Sequence, residues 1–174
     1  MIDAKIIINS ICYYNNTFWT AVTIMESSNS EIILKELQDS VILSDEEIQP
    51  MTPPYQTDAT LTQKVQITYQ TLLRSACMRN RPLSLVNAYY LGQLIDAATT
   101  SPAQRTLQMA TLTRHYCRTA IRVYHLFENL GVQRIFTTRR LTLTMVRQLK
   151  SSEYQALLLK TLDISAGAEI LSGE

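Results

Sequence analysis

The spacing of apolar residues changes character near residue 50. Before it, residues 5–12 and 18–25 are rich in isoleucine, valine, threonine and aromatic side chains, the types that fit a pleated, half-buried surface. Tyr14-Asn15-Asn16-Thr17 separates the two runs. Asparagine tolerates the left-handed backbone of tight turns, so the pattern predicts a β-hairpin. Ser28-Asn29-Ser30 can cap a short helix over 31–38, where Ile33 and Leu37 stand one turn apart. Val41-Ile42-Leu43 reads as a third strand, followed by the acidic turn Ser44-Asp45-Glu46-Glu47.

Residues 50–58 contain Pro50, Pro53 and Pro54, which remove backbone donors and disfavour helix in the residues before them, so an extended linker is expected. The pattern beyond it is helical. Thr60 with Gln63 fits a capping box ahead of an amphipathic run carrying Val65, Tyr69, Leu72 and Ala76. Arg79-Asn80-Arg81-Pro82 interrupts it, and 83–98 forms a second helix with Tyr89, Tyr90, Leu94 and Ile95. Ser101-Pro102-Ala103-Gln104 is a helix start, and Gly131 is the matching stop. A helix between them would be about 40 Å long at about 1.5 Å per residue. Thr137 or Thr138 caps a further helix to Lys150, with Leu141, Met145 and Leu149 four apart, and Ser152 with Gln155 caps a last one to about Leu162. Residues from Ser165 onward are expected to fray.

These elements predict an α+β fold: a small N-terminal β-hairpin and αβ segment, then a mainly α-helical bundle of about five helices. The expected organisation is an acidic β-rich segment over 1–49, a proline-rich linker over 50–58, a basic helical domain over 59–164 and a tail over 165–174.

Charge sharpens that division. The total is +1, but residues 1–58 hold nine acids against two bases, a net of −7. Residues 59–150 hold thirteen bases, eleven of them arginine, against Asp96 and Glu128, a net of +11, and residues 151–174 carry −3. Self-repulsion on this scale weakens a compact domain unless a counter-charge is supplied.

The candidate chemistry lies in the basic segment. At about 100° per residue, Met109, Leu112, Tyr116, Ala120, Val123, Phe127 and Leu130 gather on one side of a helix. Arg114, Arg118 and Arg122 fall on nearly the opposite side at i, i+4, i+8, forming one ridge. Planar guanidinium forks match phosphate oxygens two at a time. Arg139, Arg140, Arg147 and Lys150 follow the ridge, while Arg74, Arg79 and Arg81 precede it. The candidate nucleic-acid-binding set is therefore Arg114, Arg118, Arg122, Arg139, Arg140, Arg147, Lys150, Arg79 and Arg81. Two plainer readings stand beside it: an ordinary solvated face, or a basic surface covered by the chain's own acidic segment. Tyr124 and one of Tyr89 and Tyr90 are the candidate surface aromatics for base stacking. A helix-turn-helix around Gly131 is weakly signalled, because the connection to Thr137 is too long for that motif.

Other function classes find little support. Four glycines in the whole chain do not supply a glycine-rich phosphate loop. The first residues lack the basic and apolar pattern of a signal peptide, and no run reaches the roughly 18 apolar residues of a membrane span. Cys12, Cys77 and Cys117 are odd in number and far apart, which suits reduced, mostly buried thiols in a cytoplasm. His115 and Cys117 point in different directions on a helix, Cys117 belongs near the apolar face, and His125 has no acid at i±4. No metal-ligand spacing occurs, and clustered carboxylates are missing from the basic segment. The expectation is a non-enzymatic protein with no cofactor and no metal. Its expected function is to bind DNA or RNA by the backbone, as a regulator or a small subunit of a nucleoprotein complex. The alternative is an adaptor or assembly protein whose arginine face docks an acidic partner or another copy of itself.

Overall fold

The computed structural model of the chain describes residues 5–14, 17–25, 27–42, 52–98, 112 and 114–172. From residue 27 onward the described residues contain no strand. Helices α1 (Asn29–Ile42), α2 (Leu61–Cys77), α3 (Arg81–Ala98), α4 (Arg114–Glu128), α5 (Leu143–Gln148) and α6 (Ser151–Ser172) pack together with one 3-10 helix, Val132–Thr137. The expected α+β class with its N-terminal β-hairpin is thus corrected: the fold is a helical bundle. Among the described residues the backbones of Lys5–Tyr14 and Thr17–Met25 pair with each other and with no further strand. A two-stranded ribbon by itself supplies no layer for a core, so it does not make the fold α+β.

Helix α3 is the centre of the bundle, packed between α2 and α4. Every residue from Ser84 to Gly92 is buried, the condition of a helix surrounded by others. Gly92 makes the α3–α4 approach possible, since an added Cβ would run into the Ala120 carbonyl. Leu85, Leu91, Val123, Leu126 and Phe127 are fully enclosed. Asn87 of α3 donates to Ser75 of α2 at 3.3 Å, and Ser75 donates to the Leu72 carbonyl at 2.9 Å. Helix α1 closes the other side against α6, α5 and the 3-10 helix, with Asn29 donating to Gln148 at 3.0 Å.

Local signals account for several boundaries. The Thr60 hydroxyl accepts from the Gln63 amide at 3.3 Å, and the Gln63 side chain accepts from the Thr60 amide at 3.0 Å, completing the expected box. Gly131 ends α4 at φ +91°, its amide donating to the Phe127 carbonyl at 2.8 Å, as the sequence predicts. Residues 52–60 form bends and a turn, and Tyr55 packs against the core with the Lys64 ammonium 5.4 Å from its ring centre.

Other expectations give way. Val41 and Ile42 lie in the last turn of α1, not in a strand, while Leu43 and the acidic turn after it lie outside the described residues. The helix start at Ser101–Gln104 and the first half of the expected long helix, with Met109, also lie outside them. A helix from Thr137 or Thr138 to Lys150 is replaced by the 3-10 turn and the short α5. Its cap is Thr142, which accepts from the Met145 amide at 3.2 Å. Helix α6 continues to Ser172 instead of fraying, and the Ser165 hydroxyl donates to the Asn129 carbonyl at 3.2 Å. No helix among the described residues is long and apolar enough to cross a membrane.

Candidate nucleic-acid interface

Helix α4 carries the predicted stripe inward: Ala120, Val123 and Phe127 are buried and Tyr116 is half-buried, while Leu112 and Leu130, beyond its two ends, are buried as well. Arg114 and Arg118 are exposed, as a ridge opposite the stripe requires. Arg122 departs from it. Only 8% of its surface remains exposed, and its Nη1 donates to the Val146 carbonyl at 3.3 Å and the Leu149 carbonyl at 2.7 Å. The guanidinium carbon also stands 4.9 Å from the Tyr154 ring centre. Burial, against the pull of the Arg122 charge, pushes the Tyr154 phenol up to about 12. The reason for the correction is helical drift. At 3.6 residues per turn each i+4 step rotates about 40°, so the third arginine sits about 80° from the first and passes beneath the connection from α5 to α6.

The same internal use claims part of the remaining set. Arg81 donates from Nη1 to the Thr138 hydroxyl at 3.2 Å and the Leu141 carbonyl at 3.1 Å, and from Nη2 to the Thr138 carbonyl. Arg140 donates from Nε to Glu36 Oε1 at 3.2 Å. The backbone amides of Arg139 and Arg140 donate to Glu36 Oε2 at 2.5 and 3.1 Å. Burial raises the Glu36 pKa, but these hydrogen bonds and the Arg140 charge outweigh it and hold the carboxyl below its ordinary 4.5. Arg134 reaches the Ser40 carbonyl at 3.1 Å. Arg81 and Arg140 therefore stitch the 138–142 segment to α3 and α1, whereas the side chain of Arg139 is exposed.

What remains open is concentrated on the two flanks of α4. Between α4 and α6 lies a cleft of about 440 Å³ bordered by Arg114, Arg118, Ser151 and Gln155, with the buried Arg122–Tyr154 pair at its base. On the other flank, between α4 and α5, a smaller cleft of about 120 Å³ is bordered by His115, Tyr116, Leu143, Thr144 and Arg147, with Ala76 of α2 at its edge. Among the described residues no carboxylate lines either cleft. Lys150, exposed, lies between Arg147 and Ser151 on the connection that joins them, its amide donating to Glu153 at 2.8 Å. Arg79 is exposed beyond the end of α2 in the left-handed region, at φ +53°.

The expected stacking aromatics are not available. Tyr89 and Tyr90 are both buried, packed edge to face at 5.4 Å, and Tyr89 meets Tyr124 at 5.3 Å. The Tyr124 hydroxyl donates to Glu128 at 3.2 Å, and burial together with Glu128 pushes it up to about 12. An aromatic pair that the sequence reading missed does face a cleft. The exposed His115 ring lies 4.4 Å from Tyr116. Its signal was a histidine adjacent to the apolar stripe, one position after the first ridge arginine. His125 is not without acids: Asp96 of α3 is 3.4 Å from Nε2 and Glu128 is 3.3 Å from Nδ1. Cys117 is buried and burial pushes its thiol up, while Cys77 is exposed. Among the described residues no group of three or more histidine, cysteine or acidic side chains is placed to hold a metal ion.

The architecture is a helical bundle with a cationic double cleft on one of its helices. Comparison with known protein families, curated proteins and solved structures returns no match.

Proposed function

We propose that this protein binds nucleic acid through phosphate contacts, without catalysis, using Arg114, Arg118, Arg147 and Lys150. The observation that carries this reading is the pair of clefts flanking α4, where guanidinium, hydroxyl and amide groups stand beside apolar side chains and, among the described residues, no carboxylate. Arginine forks in such a setting take phosphate oxygens two at a time. Each neutralised phosphate releases counterions, so affinity falls with salt at a slope of roughly −0.7 per contact on single strands and −0.9 on duplex. The setting is a reducing cytoplasm, in which an exposed thiol such as Cys77 persists.

The test is a variant with Arg114→Gln, Arg118→Gln and Arg147→Gln, titrated against labelled DNA and RNA at several salt concentrations. Loss of three contacts should flatten the salt slope by roughly 2 to 3, with the melting temperature unchanged because all three side chains are exposed. An unchanged slope in a folded variant refutes the proposal. Glu36 seated on Arg139 and Arg140 favours a second reading, an adaptor that docks acidic protein segments. Size exclusion at low and high salt separates the two. Co-eluting nucleic acid supports the first, and a nucleic-acid-free assembly that salt dissolves supports the second.

A further inference from the structure

We infer that the cleft between α4 and α5 receives an unpaired nucleobase, so that the strand held by the arginines is single. This rests on the phosphate-binding reading and adds the class of nucleic acid. His115 presents an exposed ring backed by Tyr116 at 4.4 Å and 35°. Tyr116 is half-buried and is itself held edge-on by Tyr69 at 6.0 Å and 76°. The imidazole is therefore the exposed end of a braced aromatic cluster, tilted on Tyr116, which Tyr69 meets edge-on, whereas the other tyrosines of α3 and α4 are spent on the core or on Glu128. Across the cleft stand Leu143, Thr144 and Arg147. A planar base between them meets an aromatic face on one side and an aliphatic and guanidinium surface on the other, the combination that holds bases without reading sequence.

Size argues in the same direction. About 120 Å³ is well below the roughly 300–1,000 Å³ of pockets for larger ligands, which leaves room for one ring. A base inside a duplex is not on offer unless it is flipped out at a cost in stacking and pairing. Arg147 lines this cleft itself, and Arg114, which precedes His115 in the chain, lines the cleft on the other flank of α4.

The experiment compares the full chain with His115→Ala, His115→Phe and Arg114→Gln/Arg118→Gln. Fluorescence anisotropy at one fixed salt concentration follows oligo-dT, oligo-U, an abasic strand of equal length and a duplex. The wild-type chain should bind oligo-dT and oligo-U at least roughly fivefold tighter than the abasic strand. His115→Ala should erase that preference while leaving abasic affinity unchanged, and His115→Phe should keep it. The arginine variant should weaken every probe together. Equal binding of the base-bearing and abasic strands, or a preference for duplex, overturns the inference and leaves phosphate binding standing. Binding of none of the four probes overturns both. A His115→Ala variant weakened equally on abasic and base-bearing strands would show only a backbone contact and also overturns it.

Discussion

Arg122 shows how the address of a charge outweighs its sign. Its guanidinium donates to the carbonyls of Val146 and Leu149 at the end of a six-residue helix, where the Val146 carbonyl also accepts from the Leu149 amide at 3.4 Å. Arg122→Met keeps much of the aliphatic volume and removes both donors. It is expected to cost about 1–3 kcal/mol, the penalty for losing two hydrogen bonds from a charged donor to buried carbonyls. Arg118→Gln, one turn away and exposed, is expected to stay within about 0.5 kcal/mol of the parent. Urea unfolding midpoints of the two variants provide the comparison. Equal midpoints would mean that Arg122 is not structural. The amino-acid types here were visible in the sequence, and so was the i+4 spacing. The crossing of the α5–α6 connection over one edge of α4 was not, because it is set by residues far away in the chain.

Among the helices, the signals that could be read were those completed within one turn. The box at Thr60, the stop at Gly131 and the inward stripe of α4 each depend on neighbours three to four residues apart. The failures have tertiary causes. Val41 and Ile42 favour strand by side-chain shape, yet α1, a helix that packs on α6 and the 3-10 turn, extends through them. The 138–142 segment stays out of helix because Arg81 and Glu36 hold its carbonyls and amides from outside. Gly92 tests the same competition between local preference and packing. Alanine there would gain up to about 1 kcal/mol of helix propensity, but its Cβ meets the Ala120 carbonyl in the tightest part of the α3–α4 contact. Overpacking of this kind costs about 1–3 kcal/mol or more. Gly92→Ala is therefore expected to lower the melting temperature, and a rise would show that the two helices separate freely.

For the molecule as a whole, the −7 and +11 segments visible in the sequence are joined partly by the chain itself. Glu36 is the clearest joint: one carboxylate from α1 satisfies two backbone amides and a guanidinium more than a hundred positions away. Folding places its carboxyl below the ordinary 4.5, so the charged form is the one the native state prefers. The sign follows directly. The contribution is complete above about pH 4.5 and is lost as pH falls through the lower native value. Glu36→Gln keeps the shape but turns one acceptor into a donor that faces donors, and at neutral pH it should cost about 1–3 kcal/mol. The gap in urea midpoint between parent and variant should then shrink steadily below pH 4.5, because protonation removes from the parent what the substitution has already removed. A gap of constant width from pH 7 to pH 3 would mean that the carboxylate's charge does not hold α1 in place. Arg114, Arg118, Arg147 and Lys150 stand apart from this joint, so the same variant should bind nucleic acid like its parent wherever both remain folded.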